Sequence, residues 1–489
     1  SVSSGVFLDF SNSGSPMAVE NCYVSDWKSP QGAIISSGAP LTVFDCEFKG
    51  KTAPIVLKSR SQQIIISNNK VAGNGKLFSS KPHHLSIVPT GNRQPLRLNS
   101  DISFLKKTVK VPTKLFDAVK DFGAKGNGRA DDTAAIRKTI AAAAKHGNGA
   151  IAYLPGGVYK ITDTLQITGK NYYFGGCGAG SMIKFTGPAN QNAMEIRNPD
   201  HITLENFSFG MNRYEKKQKY NADIVQFGSD KPSYITYYGV FCYGKYCTNA
   251  DWYGLRLKNL TKNDRAHIKY IEGNIVVDNS AEAEIFSNCS FEGTLTIKGA
   301  TRKPVNGFTG FMTRLVTLSK PCLRTFDTSY VILSDFYMEQ SPAENMIFSG
   351  SGRVSLGLAK FQKTDRKGHT TSIKFSGYTG SIDVLSGQFY RQQKIIDYVA
   401  DAKTDATINL LGCCFYQSRF NADKNIKINM IGTTFYGKAN SDNAEKLKGP
   451  ENYTADPKVM VPLLDDFRQL GYYDLKFNYP ALFAKLCKK

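Results

Sequence analysis

An eight-residue pattern returns ten times along this chain and constrains the fold more than any other feature. It reads apolar, any, apolar, any, then Asn, Asp or Gly, a small residue, any, apolar. The copies start at Met17, Leu41, Ile64, Ile202, Glu284 (imperfect in its first slot), Val331, Val354, Ile382, Ile408 and Ile428. Neighbouring starts lie 24, 23, 47, 23, 28, 26 and 20 residues apart, with the phase lost between positions 202 and 284. Period-2 alternation over so short a segment describes a strand with every second side chain turned inward. A turn residue follows at a fixed offset, filled by Asn21, Asp45, Asn68, Asn206, Asn288, Asp335, Gly412 and Gly432, types that tolerate a tight left-handed bend. One such coil cannot bury its own apolar side, whereas stacked coils make a continuous core. The expected architecture is all-β, a right-handed parallel β-helix of at least ten coils. A β-sandwich would instead show hairpin Asn-Gly turns and irregular spacing.

The same register accounts for the cysteines. Cys22, Cys46, Cys289 and Cys413 occupy the fifth offset, where other coils carry Ala359, Gly387 and Thr433. They are expected to be small inward-pointing fillers. Only Cys242 and Cys247 lie in a stretch suited to a local bridge. There is no C-x-x-C pair and the six histidines are dispersed, so neither a metal nor a cofactor is expected. Capping accounts for Asp121, Asp131 and Asp132, and Gly176-Cys177-Gly178-Ala179-Gly180 lacks the third glycine of a dinucleotide loop.

Four segments are expected: coils over 1–100, a linker over 101–113, a second β-helix over 114–440 and a helical tail over 441–489. Asp131 or Asp132 serves as N-cap of a capping α-helix at 132–146, closed by Gly147, that would shield the open end of the solenoid. A C-terminal amphipathic helix is expected from Asp456-Pro457 to Leu470, its buried face marked by Val461, Leu464 and Phe467.

With 62 basic and 41 acidic residues the formal charge is +21, which points to an anionic partner or to simple solubility. The basic residues are scattered and no recognition-helix, zinc-finger or RNA-stacking signature accompanies them, so nucleic acid is not expected. No run of about 18 apolar residues exists to span a membrane. The chain begins Ser1-Val2-Ser3, so no signal peptide is there to read.

The stretches D-F-G-A-K-G-N-G (121–128), D-D-T-A-A-I (131–136) and Y-L-P-G-G-V-Y (153–159) resemble the opening module of the pectate-lyase-like β-helix superfamily. That module is specific for fold and poor for function, because lyases, glycosidases and tailspikes share it. Coils on both sides of the linker make the chain similar to the exo-β-1,3-glucanases of glycoside hydrolase family 55, which pair two β-helices. Coils 1–100 lack an opening module of their own. The resemblance implies a secreted or periplasmic protein acting on a polysaccharide or oligosaccharide. It also implies a general acid in the segment F-Y-M-E-Q-S-P (336–342), at Glu339, although Gln340 stands where the family has glycine.

The register itself gathers an outward stripe at the eighth offset: Glu292, Glu339, Gln362, Tyr390, Tyr416 and Tyr436. Carboxylates supply acid and base, and aromatic faces pack on sugar rings. Glu292 and Glu339 are two coils apart, hence roughly 9–10 Å along the axis, a spacing that suits inversion rather than a covalent intermediate. Tyr337 stands beside the expected acid, and Trp252 and Tyr253 would form a platform closing the sugar site. The competing functions are a polysaccharide lyase on a uronate-rich substrate, with Arg256 or Tyr337 among its candidates, and a non-catalytic carbohydrate-binding rod. In the bland alternative the stripe is a solvated face.

Overall fold

The computed structural model describes residues 6–91, 112–210, 222–242 and 253–468. Within these it leaves out 12, 60–61, 74, 189–190, 281–282, 288–290, 293, 300–307, 312–313, 317–320, 328–330, 336, 340–343, 363–370, 391–393, 399–402, 417–425 and 437–452. It is a right-handed parallel β-helix with two short helices, and among the described residues every strand pairing is parallel. Each full coil contributes three strands. Face I is the repeat strand, face II follows the tight turn, and face III precedes the next coil.

The chain divides into two compact units, one of residues 1–98, 332–345 and 353–472, the other of 99–331, 346–352 and 473–489. In the second unit, face I runs in order from Leu115–Asp117 to Phe308–Phe311. Face III stacks Leu165–Ile167, Met194–Ile196, Ala222–Phe227, Tyr253–Lys258, Ile275–Asp278, Leu295–Lys298 and Leu323–Phe326. The opening helix spans Thr133–His146 and buries Ile136, Ile140 and Ala143 against the first strands. Asp132 holds the N-cap position but its carboxylate turns away to accept from the Lys125 and Gly126 amides, at 2.6 and 3.1 Å. The capping bond comes from Asp131, which accepts from the Thr133 amide at 3.0 Å. Asp121 accepts from the Asp117 amide at 2.8 Å. The three aspartates therefore serve the loop and helix start.

In the first unit, N-terminal coils and coils from residue 353 onward pack together. Four inward phenylalanines of face II, Phe361, Phe389, Phe415 and Phe435, stack at 4.3, 4.6 and 4.8 Å with nearly parallel rings. Each is nearly fully buried and contributes on the order of 1.5–3 kcal/mol of transfer free energy. Across this unit the outward slot of face I is not solvated. Ser355, Asp383, Asn409 and Asn429 are in register and buried, linked by Asn409 Nδ2 to Asp383 Oδ1 at 2.5 Å and Asn429 Nδ2 to Asn409 Oδ1 at 2.8 Å. The cover is a helix over 461–468, entered by a 3-10 turn Pro457–Met460. Its Asp466 accepts from Ser355 Oγ at 2.6 Å and pairs with Arg353 at 2.7 Å, while Leu463, Leu464 and Phe467 are buried. The expected Val461 is only half-buried, and Leu470 lies outside the described residues.

The turn slots carry positive φ in each described case: Asn21 50°, Asp45 55°, Asn68 48°, Asn206 54°, Asp335 49°, Gly412 62° and Gly432 61°. Asn288 lies outside the described residues. The two glycines have a second reason. A Cβ on Gly412 would stand 2.8 Å from Thr42 Oγ1, and one on Gly432 would stand 2.3 Å from Ile65 Cδ1. Glycine replaces Asn or Asp where the N-terminal coils press closest. Among the fifth-slot residues Cys46, Cys413 and Ala359 are buried and Cys22 is half-buried. Cys242 is a buried free thiol, with its suggested partner Cys247 outside the described residues.

Candidate functional site

The expected stripe is a real backbone column on face II of the first unit. Gln362, Tyr390, Tyr416 and Tyr436 are consecutive register partners, and Glu339 extends the column because Met338 pairs with Phe361 one step before. Glu339 ends the strand Tyr337–Glu339, whose Tyr337 ring has Lys360 Nζ 5.6 Å from its centroid. Glu292 ends the strand Phe291–Glu292, in register with Val316, and belongs to the other unit.

The tyrosines stack on one another, Tyr416 on Tyr436 at 4.7 Å and Tyr390 against Tyr416 at 6.1 Å. Burial pushes the Tyr416 phenol well above its usual range and the Tyr436 phenol up to about 12. Tyr416 also donates its hydroxyl hydrogen bond to the Gly14 carbonyl. At Tyr416 the stripe therefore meets the N-terminal coils of its own unit. Tyr416 is one of the residues expected to bind sugar, and here its hydroxyl is tied to Gly14. Outward residues on a solenoid look alike in sequence whether they meet water or another part of the chain.

Face III of the second unit carries a different set. One outward column reads Phe227, Lys258, Asp278, Lys298 and Phe326 in continuous register. The column beside it reads Gln166, Glu195, Val225, Arg256, Val276, Thr296, Arg324 and Ile347. Arg197 stacks 3.9 Å from the Phe227 ring centroid while pairing with Glu195 at 3.3 Å, and Lys258 Nζ lies 5.9 Å from the same ring. Such cation–aromatic contacts hold the charges over apolar ground. Arg256, expected as a carboxylate neutraliser, is engaged by Asp278, with Nε to Oδ2 at 3.2 Å, and lies 5.9 Å from the Tyr253 ring. Tyr253 opens this strand, and Trp252 lies outside the described residues. Arg324 is the residue the sequence reading missed. Its Nε is shielded from solvent without a hydrogen-bond partner among the described residues; Arg324 is in register with Thr296 and stands two residues before the exposed Phe326, whose register partner is Lys298. Its only sequence signal is an alternate-slot arginine in the strand Leu323–Phe326.

Residues 116–311 match the family model described as rhamnogalacturonase A/epimerase, pectate lyase-like, and this segment carries that β-helix fold. Alginate lyase 7 of Azotobacter vinelandii is 45% identical over 71 residues, covering 13% of this chain and 8% of the relative. A probable glucan endo-1,3-beta-glucosidase of Arthroderma benhamiae is 44% identical over 60 residues, 11% of this chain and 7% of the relative. The chain thus spans less than a tenth of the length of the curated relatives it matches. Among solved structures, the A-module of a mannuronan C-5 epimerase from Azotobacter vinelandii has a TM-score of 0.38 at 15% identity, covering 70% of this chain and 99% of its own. An exopolygalacturonase from Thermotoga maritima has a TM-score of 0.40 at 10% identity, covering 69% and 96%.

Proposed function

We propose that this chain is a carbohydrate-active enzyme on acidic polysaccharides, bound along face III of the second unit. The observation that carries this reading is Arg324, whose solvent-shielded guanidinium nitrogen has no partner among the described residues. A cationic nitrogen held that way is costly unless an anion meets it. Lys258 and Lys298 on the next column add positive charge on either side of Asp278, and the exposed Phe326 offers an apolar face for a sugar ring. Rungs repeat at about 4.8 Å, so a sugar chain lying along the axis would meet the column of Phe227, Lys258, Asp278, Lys298 and Phe326 about once per ring, whereas Val225, Val276 and Thr296 of the column beside it are buried. The +21 charge favours encounter with a polyanion.

On a uronate chain the chemistry is β-elimination: a base removes the C5 proton while a cation neutralises the neighbouring carboxylate, the C4–O glycosidic bond breaks as the C4=C5 double bond forms, and the departing oxygen takes up a proton. In this reading Arg324 takes the neutralising role expected of Arg256, which Asp278 already engages. The second reading is an inverting exo-β-1,3-glucanase with Glu339 as general acid. The 44% identity with a probable glucan endo-1,3-beta-glucosidase favours it.

Incubation with polygalacturonate, alginate and laminarin separates the two. Elimination creates an unsaturated uronate with ultraviolet absorbance, and hydrolysis creates only reducing ends. Turnover of laminarin alone would overturn the acidic-substrate reading. Binding without turnover of any of them would leave a carbohydrate-binding rod.

A further inference from the structure

We propose that Cys22 and Cys46 are a thiol pair placed to close into a disulfide between neighbouring rungs of the N-terminal coils. The strands Tyr23–Ser25 and Glu47–Gly50 are in parallel register, Tyr23 with Glu47, so the two cysteines oppose one another one residue ahead. The Glu47 amide donates to the Cys22 carbonyl at 2.8 Å, which locks that step of the ladder. Neighbouring strands lie about 4.8 Å apart, inside the roughly 4.4–6.8 Å that a disulfide spans between Cα atoms. Both side chains turn toward one apolar cluster, Cys46 within it and Cys22 packed on it. Their sulfurs converge on adjacent peptide units of the first rung: Cys22 Sγ is 3.2 Å from the Glu20 carbonyl and Cys46 Sγ is 3.6 Å from that of Val19.

The fifth slot elsewhere does not repeat this arrangement. Cys413, the other buried thiol at that offset, has Gly387 and Thr433 on the rungs beside it. In the N-terminal pair the Cys46 thiol hydrogen-bonds to the Cys22 sulfur, which pulls Cys22 down to about 7 and pushes Cys46 up. Half-buried Cys22 is thus the attacking sulfur, and buried Cys46 is the resolving one.

The oxidant is a small disulfide, with oxidised glutathione as the probe. The Cys22 thiolate attacks one glutathione sulfur, the glutathione disulfide breaks, and one glutathione thiolate leaves. Cys46 gives its proton to that thiolate and attacks the Cys22 sulfur, releasing the second glutathione. Two electrons and the Cys46 proton pass to glutathione, the second glutathione thiolate takes back from solvent the proton that Cys22 lost on ionising, and one protein disulfide forms.

The test uses the full chain carrying Cys177→Ser, because Cys177 is the exposed thiol among the described residues. The folded protein is treated with oxidised glutathione, alkylated and digested. The expected product is a peptide pair joined through Cys22 and Cys46, lighter by two hydrogens, and a melting temperature several degrees higher than in the reduced protein. Cys22→Ser should abolish both effects. Alkyl label on both cysteines after oxidation would overturn the proposal, as would Cys22 left as a stable glutathione adduct. If Cys22→Ser fails to fold, the peptide map of the parent protein still decides.

Discussion

Arg468 pairs with Asp45 across 423 residues of sequence, and the same guanidinium reaches Asp465 at 2.6 Å and Ser67 Oγ at 3.4 Å. Asp45 is itself a left-handed turn residue, so one side chain fixes both a coil corner and the C-terminal helix. Removing one partner of a buried pair costs about 3–5 kcal/mol. Here the side chains are 20% and 16% exposed, so the expected loss for Arg468→Leu is smaller, about 1–3 kcal/mol. Urea unfolding would read it as a lower midpoint. An unchanged midpoint would mean that the apolar contacts of Leu463, Leu464 and Phe467 alone hold the helix.

Glu20 sits on the same corner, and burial first, then Asp45 and Cys22, raise its carboxyl to about 8. The folded state therefore holds this proton more tightly than the unfolded chain does. Stability from this group is full below the unfolded value, near 4.5, and is lost as pH rises through about 8. Glu20→Gln should flatten the decline in melting temperature across that window. A decline of equal slope in the variant would assign it to other groups.

The repeat was legible because the tight turn and the inward alternation act on every coil alike. A left-handed corner needs Asn, Asp or Gly, and those letters stand at a fixed offset from apolar pairs. Leu358 and Ser386 hold the same slot at φ 50° and 51° without belonging to those types, and no residue preference announces them. The candidate site was less legible. Tyr416 and Arg324 are both outward residues on a strand, yet one meets Gly14 and the other leaves a shielded nitrogen open. Alternation reports which way a side chain points. What it meets there is decided by residues hundreds of positions away.

Those corner residues make opposite predictions. Leu358 is 41% exposed and pays the left-handed penalty with no packing return, so Leu358→Asn should stabilise by about 0.5–1 kcal/mol. Gly432→Ala should destabilise by about 1–3 kcal/mol, because it adds that penalty to a contact with Ile65. Thermal melts of the two variants should move in opposite directions. A shared direction would show that the turn conformation differs between these rungs.

The binding reading turns on charge, and charge can be varied one column at a time. Arg324→Leu removes the guanidinium whose Nε lacks a partner while keeping an apolar stem, so the fold should be neutral or slightly steadier. Polygalacturonate affinity should nevertheless fall by about tenfold or more, the equivalent of roughly 1.4 kcal/mol. Lys258→Glu with Lys298→Glu places two anions on the neighbouring column and should weaken binding further, with a shallower dependence on salt because fewer counter-charges remain to be screened. Laminarin is uncharged, so its affinity should not respond to either change. Glu339→Gln is the complementary probe: as general acid its loss would slow laminarin hydrolysis by about 10²–10⁴-fold and leave polygalacturonate binding intact. If the face III variants bind polygalacturonate normally and Glu339→Gln alone silences the enzyme, the active face is face II and the acidic substrate is excluded.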